Sequence, residues 1–402
     1  MVEWKTIEEL GSFFGGLTGK TKNDFVDGNA NFITYMNVFS NPSLNTSEVG
    51  TVKINEGEKQ NKIQKGDILF TGSSETPEET GMSCVVTDDL KEDFYMNSFC
   101  FGLRLYSPEQ VNLHYLKHIL RSEPVRKSIA KTASGVTRYN ISKARFGKIK
   151  IPIPSLSEQQ RIVSILDTFT SSISNLKQQI EERRKQYEYE RDLLLDLEGK
   201  EGVEMKKLGE VCEIKNGYTP STKKPEFWEN GSIPWFTLED IRKNGRILSD
   251  AIKHITPTGV KKSGLFPQNS IIVSTTATIG EYALITRDFL CNQQISCISV
   301  KEATRGKLLP KYLYYLSNSI GNWCKKNVNG GGSLLIVSTS KLNNLFIPLP
   351  PLSTQSRIVS ILDTFEQSIS NLEEQLAMRE KQYEYYRNQL LTFEGEEERG
   401  KT

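Results

Sequence analysis

The stretch RIVSILDTF stands at residues 161–169 and returns unchanged at residues 357–365. Both copies follow a proline-rich lead, IPIP at 151–154 and IPLP at 347–350, and both continue into KQYEY, at 185–189 and 381–385. The segments between them, 1–150 and 200–346, are far less alike. Because a long-period repeat decides the architecture of a chain, this one predicts two different globular modules and two nearly identical connectors, related by a pseudo-two-fold internal repeat.

Each connector has the apolar spacing of a long amphipathic helix. From Ile162 to Leu194 apolar residues recur at alternating steps of four and three, and the second copy repeats the series from Ile358 to Leu390. This is the a/d spacing of a coiled coil. We therefore expect two helices of roughly 40 residues, about 60 Å long at ~1.5 Å per residue. We expect them to pack antiparallel, because a module returns the chain between them.

Local signals set the expected helix ends. Ser157 and Ser353 are predicted N-caps, and Gly199 and Gly395 are predicted stops. Arg183 and Arg379 interrupt the apolar series at equivalent places. They either break the seam beside acidic pairs, at 181–182 and 373–374, or are ordinary surface arginines whose aliphatic stems lie on the seam.

The modules are predicted to be α/β (α+β) domains with a mixed or antiparallel sheet. Short β-rich runs, such as 66–71 and 269–274, alternate with Gly, Asn, Ser and Thr turns, and one helix is expected late in each module, at 112–129 and 310–325. Residues 2–7 align with 203–208, so the modules are distant relatives. The predicted domains are 1–155 and 200–350 for the modules, 156–199 for the first helix, and 351–402 for the second helix with a C-terminal tail.

The composition fits a soluble globular protein, with 37% hydrophobic and 25% charged residues. No apolar run approaches the ~18 residues of a membrane span, and the N-terminus lacks the pattern of a signal peptide. The six cysteines form no CxxC pair. We therefore expect a cytoplasmic protein that has no membrane partner and whose thiols are reduced and mostly buried.

The formal net charge of +2 conceals a segregation of charge along the chain. Residues 200–350 hold 20 Lys+Arg and 12 Asp+Glu, a net +8, whereas residues 156–199 (6 and 9) and 351–402 (6 and 10) are net −3 and −4. A polyanionic partner would therefore bind the modules and not the connectors. The alternative is that the basic module merely has a solubilising surface.

Motifs of catalysis are missing or incomplete. GGLTGKT at 15–21 resembles a P-loop, but Phe14 occupies the position of the required first glycine. His114 and His118 share a helix face without the Glu or third ligand of a zinc site. We therefore predict no catalytic residue and no metal site in this chain.

Polar, glycine-containing loops carry the candidate nucleic-acid contacts. Asn, Gln, Arg, Ser and Thr side chains read base edges or bond phosphates, and glycine lets backbone amides approach a phosphate. For any one loop the alternative is ordinary turn chemistry. The candidate DNA-binding residues are Thr18, Lys20, Lys22, Tyr35, Asn37, Ser73, Ser74, Arg138 and Tyr139 in the first module and Tyr218, Thr219, Lys223, Lys224, Trp235, Thr237, Thr275, Thr276, Thr278, Asn292, Gln293, Gln294 and Ser333 in the second.

Several phrases resemble the specificity (S) subunits of Type I restriction-modification enzymes (the HsdS family). The first is IPLPPLS at 347–353 with Gln355 and RIV at 357–359, and it has a twin in the first half of the chain. The others lie in the second module: IPWFT at 233–237 with Asp240 and Ile241, and TIG at 278–280. The order module, helix, module, helix matches as well, so the resemblance covers almost the whole chain. The first module departs from this pattern, because it has no clear IPW phrase.

The resemblance implies that the modules are target recognition domains, each of which reads one half of a bipartite, asymmetric site on double-stranded DNA. It implies that the helices set the spacer and dock two methyltransferase subunits, and that two restriction subunits complete the complex. The chain itself would be no enzyme, and AdoMet, ATP and magnesium would belong to the partner subunits. Two alternatives stay open: the specificity subunit of a Type IIB-like methyltransferase–nuclease system, and a coiled-coil scaffold that does not bind DNA.

Overall fold

The computed structural model describes residues 2–329 and 335–393. The chain divides into two compact units. Unit 1 comprises residues 1–178 and 373–402, and unit 2 comprises residues 179–372. Each unit holds one module together with a part of each connector.

Unit 1 begins with a strand that closes the module, because residues 3–6 pair antiparallel with residues 150–153, which lead directly into the first long helix. The elements of the module are β1 (Glu3–Thr6), α1 (Ile7–Leu10), β2 (Gly11–Gly15), β3 (Ala30–Ile33), α2 (Tyr35–Ser40), β4 (Gly50–Val52), β5 (Ile68–Thr71), β6 (Ser73–Ser74), β7 (Ser83–Val85), β8 (Phe94–Met96), β9 (Cys100–Leu105), α3 (Leu113–Ile119), α4 (Glu123–Ala130), β10 (Ala133–Ser134), β11 (Tyr139–Ile141), α5 (Lys143–Gly147) and β12 (Lys150–Ile153).

The main sheet of unit 1 has the strand order β2-β9-β5-β7 and is antiparallel, whereas β4-β3-β8 contains a parallel pair. Strand β5 is buried along its length because its alternating side chains enter two different cores. Ile68 and Phe70 join the core that contacts the long helices, and Leu69 joins the core beneath β3 and β8. The apolar run that signals this strand in the sequence therefore reflects a sheet covered on both faces.

Unit 2 repeats the plan with different residues. Its elements are β13 (Glu204–Lys207), α7 (Leu208–Val211), β14 (Cys212–Asn216), β15 (Ile233–Phe236), α8 (Leu238–Asn244), β16 (Ile247–Leu248), β17 (His254–Ile255), β18 (Ser270–Ser274), β19 (Tyr282–Ile285), β20 (Leu290–Cys291), β21 (Ile295–Val300), α9 (Pro310–Lys326), α10 (Thr339–Asn343) and β22 (Phe346–Leu349). The main sheet has the order β14-β21-β18-β19-β16, β13 pairs with β22, and β15 lies between β17 and β20. The predicted mixed α/β character of both modules is confirmed.

The long helices are α6 (Leu156–Leu195) and α11 (Leu352–Leu390). In unit 1 the first part of α6 packs antiparallel against the last part of α11, because Phe169 stacks on Tyr386 and, further along α6, Lys177 lies 3.0 Å from Glu380. In unit 2 the last part of α6 meets the first part of α11, where Tyr187 lies against Phe365. The prediction of two antiparallel helices of about 40 residues is confirmed.

The two seam arginines occupy equivalent positions within their own units. The guanidinium of Arg379 lies 5.6 Å from the ring centroid of Phe169 in unit 1, and that of Arg183 lies 5.9 Å from the ring of Phe365 in unit 2. Each arginine therefore fills a seam position by stacking on an aromatic ring of the other helix. Cation–π stacking was not among the two alternatives drawn from the sequence, and it keeps the guanidinium groups at the interface between the helices.

A buried glutamine joins each long helix to its module in the same way. The backbone amide of Asn112 donates to Gln159 Oε1 at 2.8 Å, and Gln159 Nε2 donates to the Pro154 carbonyl at 2.7 Å. In unit 2 the amide of Leu309 donates to Gln355 Oε1 at 2.9 Å, and Gln355 Nε2 donates to the Pro350 carbonyl at 2.8 Å. The internal repeat therefore extends to matching side-chain hydrogen bonds.

Three predicted boundaries are corrected. Residues 112–129 form two helices, α3 and α4, because Pro124 lacks an amide proton and can only stand in the first turn of a new helix. Helix α6 begins at Leu156, and the Glu158 amide donates to Ser155 Oγ at 3.4 Å, so Ser155 caps the helix and Ser157 lies inside it. Helix α11 begins at Leu352, which places Ser353 inside it. Gly395 lies outside the described residues.

Candidate nucleic-acid interface

In unit 2 two loops lie against each other at one end of the sheet. We call them the reading loops and define them as residues 216–220 and 291–295. Gly217 donates its amide to the Ile295 carbonyl at 2.9 Å, and Tyr218 donates to the Cys291 carbonyl at 2.8 Å. A Cβ on Gly217 would stand 2.2 Å from the Cys291 oxygen, so only glycine allows this approach. The structure thereby brings together two loops that the sequence separates by more than 70 residues.

A hydrogen bond between two side chains links the two reading loops. The Thr219 hydroxyl donates to Gln293 Oε1, and Gln293 is solvent-exposed. Gln293 Nε2 has no hydrogen-bond partner among the described residues. Asn292 and Gln294 stand beside it, and Asn292 Oδ1 accepts from the Gln294 amide at 3.1 Å. A glutamine amide with a free donor on a protruding loop can bond a base edge.

Two basic loops, residues 221–228 and 253–262, adjoin the reading loops. The Thr256 amide donates to the Phe227 carbonyl at 2.9 Å, which holds these loops together. Lys261 Nζ lies 4.3 Å from the centroid of the Tyr218 ring, and the Lys261 amide donates to Tyr218 Oη at 2.7 Å. Lys223 and Lys224 are exposed on the first basic loop. Lysine ammonium groups on exposed loops are suited to phosphate contacts.

Three candidates in unit 2 have structural roles. Trp235 is buried, stacks edge-on against Trp228 and donates Nε1–H to the Tyr218 carbonyl at 2.9 Å. The Thr237 hydroxyl and amide both bond Asp240 in the capping box of α8. Buried Thr275 shares a 3.0 Å hydrogen bond with Ser296. These residues support the reading loops from below and do not present a free edge to a ligand.

The remaining candidates of unit 2 lie around Ile336. Thr276 forms an isolated bridge with Ile336, which also bridges Asn329, and Thr278 is exposed on the neighbouring turn. Ser333 lies outside the described residues.

In unit 1 two loops approach each other equally closely at the place equivalent to the reading loops, and a glycine again allows the approach. Leu17 donates its amide to the Met96 carbonyl at 2.8 Å, and a Cβ on Gly16 would stand 2.1 Å from the Asn97 oxygen. Strand β3 followed by Thr34 takes the position of the IPWFT phrase, and Thr34 Oγ1 accepts the Asn37 amide at 3.1 Å to cap α2. The phrase absent from the first module is therefore replaced by a segment of the same structure and different sequence.

Several candidate residues in unit 1 already form hydrogen bonds or ion pairs within the protein. Lys20, whose side chain is 6% exposed, lies 2.6 Å from Glu58 and also donates to the Lys53 carbonyl. Hydrogen bonds, that of Lys20 first, lower the pKa of Glu58 to about 2. Buried Asn37 donates to the carbonyls of Asn45 and Glu48. We assign Lys20 and Asn37 to holding loops in place, whereas Thr18 and Lys22 are exposed.

The other candidates of unit 1 meet around one hairpin, which we call the tip hairpin and define as residues 133–141. Its order with the main module is β10-β11-β6, so Tyr139 pairs with Ser74. Arg138 Nε donates to Ser73 Oγ at 3.1 Å, and its guanidinium lies 5.4 Å from the Phe99 ring. The Tyr35 hydroxyl donates to the Ser73 carbonyl at 2.7 Å. Tyr35, Ser73, Ser74, Arg138 and Tyr139 therefore lie together, but Ser73 and Ser74 are buried and their hydroxyls bond Arg138 and Glu79.

Basic residues of both units escaped the sequence analysis. Lys143, Arg145 and Lys148 follow the tip hairpin, are exposed, and make no ion pair with any carboxylate within residues 2–329 and 335–393. In unit 2, Lys261 and Lys262 were missed. The available signal was clustering, because three basic residues fall within 143–148 and two are adjacent at 261–262.

Two half-buried arginines position loops near the tip hairpin. Arg121 donates to the carbonyls of Ser83, Val38, Phe39 and Asn41, and Arg126 donates to those of Glu78, Thr80 and Gly81. Burial lowers the pKa of each guanidinium to about 10, so both stay charged at neutral pH. Charged hydrogen bonds to several carbonyls fix the loops that carry the exposed residues.

The described residues contain no group of three or more His, Cys, Asp and Glu side chains that could hold a metal ion. Over the same residues, no helix has the length and apolar character needed to cross a membrane. The six cysteines are free and buried, which confirms the expectation for the thiols, and burial raises the pKa of Cys84, Cys100, Cys212 and Cys297 to about 12.

Comparison with known proteins gives consistent matches. Residues 1–183 and 200–378 each match the family described as Type I restriction modification DNA specificity domain. The chain is 44% identical over 210 residues to the Type I restriction enzyme EcoprrI specificity subunit of Escherichia coli, covering 50% of this chain and 52% of that protein. It is 38% identical over 270 residues to the EcoR124I/EcoR124II specificity subunit of Escherichia coli, covering 62% and 65%. The matched region therefore spans between half and two thirds of these relatives.

Solved structures agree in fold. A chain in a structure described as the basis of complex assembly and conformational transition of the type I R-M system superposes with a TM-score of 0.66, at 18% identity and with 97% of each chain covered. The S subunit of a Type I restriction-modification system from M. genitalium gives a TM-score of 0.53 at 15% identity, covering 98% of this chain and 97% of that one. At these identities the likeness concerns the fold alone.

Proposed function

This chain belongs to the family of Type I restriction-modification DNA specificity domains, and on that premise we propose that it reads the DNA target of such a system. Each unit recognises one half of a bipartite, asymmetric site on double-stranded DNA. One observation carries the proposal: the family domain occurs twice, and each copy presents its own polar loops and exposed basic residues.

The equivalent loops of the two units carry different side chains, which favours unlike half-sites. Tyr218 stands where unit 1 has Leu17, since both donate their amide to the carbonyl at the end of a parallel strand. After those strands the sequences are Asn292-Gln293-Gln294 and Asn97-Ser98-Phe99. Because specificity comes from base-edge contacts and not from phosphate contacts, different side chains on one scaffold would read different bases.

The test is the methylated motif of a host that carries this chain and its partner subunits, read base by base. We expect two unlike short sequences separated by a gap of unspecified bases. A continuous or palindromic motif would contradict the proposal.

We further propose that the long helices dock two copies of a methyltransferase subunit. Support comes from exposed positions that are identical in the two repeats: Arg161 and Arg357, Ser164 and Ser360, Thr168 and Thr364, Tyr189 and Tyr385. Tyr189 is 68% exposed and Tyr385 is 58% exposed. Folding alone does not require identical residues at exposed positions, so a repeated partner surface accounts for them.

The chemistry would belong to the partners. AdoMet would be held by the methyltransferase subunits, and ATP and magnesium by two restriction subunits where the system cleaves DNA, all in the cytoplasm. The rigorously purified chain should transfer no methyl group from labelled AdoMet to target DNA. Transfer by this chain alone would overturn the non-catalytic assignment.

A further inference from the structure

Val136 stands at the end of the tip hairpin and is 90% exposed. The neighbouring Gly135 has φ +155°, and a Cβ there would lie 2.0 Å from the Arg138 carbonyl oxygen, so the turn depends on glycine. A β-branched apolar side chain so fully in water contributes almost no buried area to folding. Its position is therefore better explained by contact with something outside the chain.

The surface next to Val136 is unusually apolar for an exposed loop region. Met36 and Phe99 are each 59% exposed. The guanidinium of Arg138 covers the Phe99 ring, and Met36, Thr137 and Arg138 line one groove. Exposed apolar groups gathered in one place mark an interaction site more reliably than single ones.

The charges around the tip hairpin favour a nucleic acid as the occupant. Arg138 lines the groove and Lys143 follows the hairpin, with its Nζ 5.2 Å from the Phe101 ring centroid; both are exposed, and neither makes an ion pair with a carboxylate in the described part of the chain. Glu75 and Glu79 also line the groove, and the Ser74 hydroxyl donates to Glu79 at 3.2 Å. Arg138 and Lys143 would bind phosphates beside an inserted hairpin.

We propose that Val136 reads the 5-methyl group of a thymine in the half-site recognised by unit 1, and this inference rests on the proposed function. Valine has no donor or acceptor, so it cannot read a base edge by hydrogen bonding. In the major groove the thymine methyl is the apolar group that distinguishes one base pair from the others. Arg138, fixed by Ser73 and Phe99, is the adjacent group able to contact a phosphate or a guanine.

Deoxyuridine in place of thymidine removes the methyl group and keeps the base pair, which gives a direct test. Binding of the complex with its methyltransferase subunits is measured on target duplexes with deoxyuridine at each thymine position in turn. We expect one position in the unit 1 half-site to lose affinity about three- to fivefold, the effect of one buried methyl. With Val136→Ala the same substitution should have no effect, because the contact is already gone.

Two controls accompany the test. Tyr106→Ala removes another exposed apolar side chain of unit 1, beyond the opposite end of β9, and should keep the full deoxyuridine effect. Deoxyuridine in the other half-site should act equally on both proteins. If no position couples to Val136, or if the unit 1 half-site contains no thymine on either strand, the inference is wrong while specific binding persists. Loss of sequence-specific binding by the unaltered complex would instead refute the proposed function.

Discussion

We propose that Gln293 contacts a base edge and that Lys223 contacts a phosphate. One experiment can distinguish these two kinds of contact. Replacing Gln293 with alanine should lose recognition at one base position of one half-site, by about 1–3 kcal/mol if the contact is bidentate. Replacing Lys223 should weaken binding to all sequences and reduce the salt slope by about one. Affinities of both variants are measured on single-base target variants over a range of salt. A change in both half-sites on Gln293→Ala would contradict the assignment.

We expect His118 to make the stability of unit 1 depend on pH. Its Nε2 lies 2.8 Å from Asp167 Oδ1 and its Nδ1 lies 3.3 Å from Tyr383 Oη. A neutral ring that donates from Nε2 and accepts at Nδ1 satisfies both partners. Burial lowers the pKa of His118, and the hydrogen bond to Asp167 opposes this only in part. The unfolded chain therefore binds more protons once the pH falls below about 6.5, and stability declines from there down to the folded pKa.

Unit 2 supplies the matched variant, because Tyr315 donates to Asp363 at the place equivalent to His118 and Asp167. The thermal midpoint of the unaltered chain should fall more between about pH 7.5 and pH 5.5 than that of His118→Tyr. Asp167, whose pKa is held below its usual value by His118 and Lys117 despite burial, titrates below this window. Equal losses in both proteins would show that His118 is not responsible.

Polarity in the sequence could identify the loops but not the free side chains within them. Five candidates lie on or beside the predicted surfaces, yet the polar group of each already forms a hydrogen bond within the protein: Trp235, Thr237, Thr275, Asn37 and Lys20. A capping threonine and a base-reading threonine look the same in sequence. What separates them is whether a partner is already bonded, which depends on residues distant in the chain.

At the scale of elements, the long helices were predictable because their apolar period persists for about 40 residues. Strands β5 and β18 were signalled by short apolar runs, since both are buried on two faces. The split of residues 112–129 could have been read from Pro124. The tip hairpin could not, because β10 and β11 are two and three residues long and carry no alternating pattern.

The identical exposed tyrosines test the docking role of the helices. Complexes reconstituted with excess methyltransferase should contain two copies per chain by native mass measurement. Tyr189→Ala and Tyr385→Ala should each weaken the binding of one copy and leave the other, because the two surfaces are equivalent and separate. A stable one-to-one complex of the unaltered chain at excess partner would argue against two docking sites.

Helix length offers a second test at this scale. Four residues inserted beside Arg183 add about one turn, roughly 6 Å at ~1.5 Å per residue. If the helices set the gap between half-sites, the gap should lengthen by about one to two base pairs at ~3.4 Å each. The half-sites should stay the same, because the reading loops lie in the modules. An unchanged gap in an active variant would mean that the partner subunits set the spacing.

For the whole molecule, the repeat is the organising fact. Twin glutamines, twin seam arginines and twin strand pairs recur in both units, while the exposed loops differ. A scaffold that is kept constant and a surface that varies are what a modular reader of two different sequences requires. The two recognition surfaces should therefore act independently of each other.

The most direct test is to exchange one module and to determine the methylated motif of the hybrid. Residues 208–345 are replaced by the corresponding segment of another family member with a known motif, leaving β13, β22 and both long helices intact. The methylated motif of the hybrid complex is then read base by base. We predict that one half-site becomes that of the donor while the other half-site and the gap stay unchanged. A hybrid that methylates DNA with both halves altered, or with neither altered, would contradict the account.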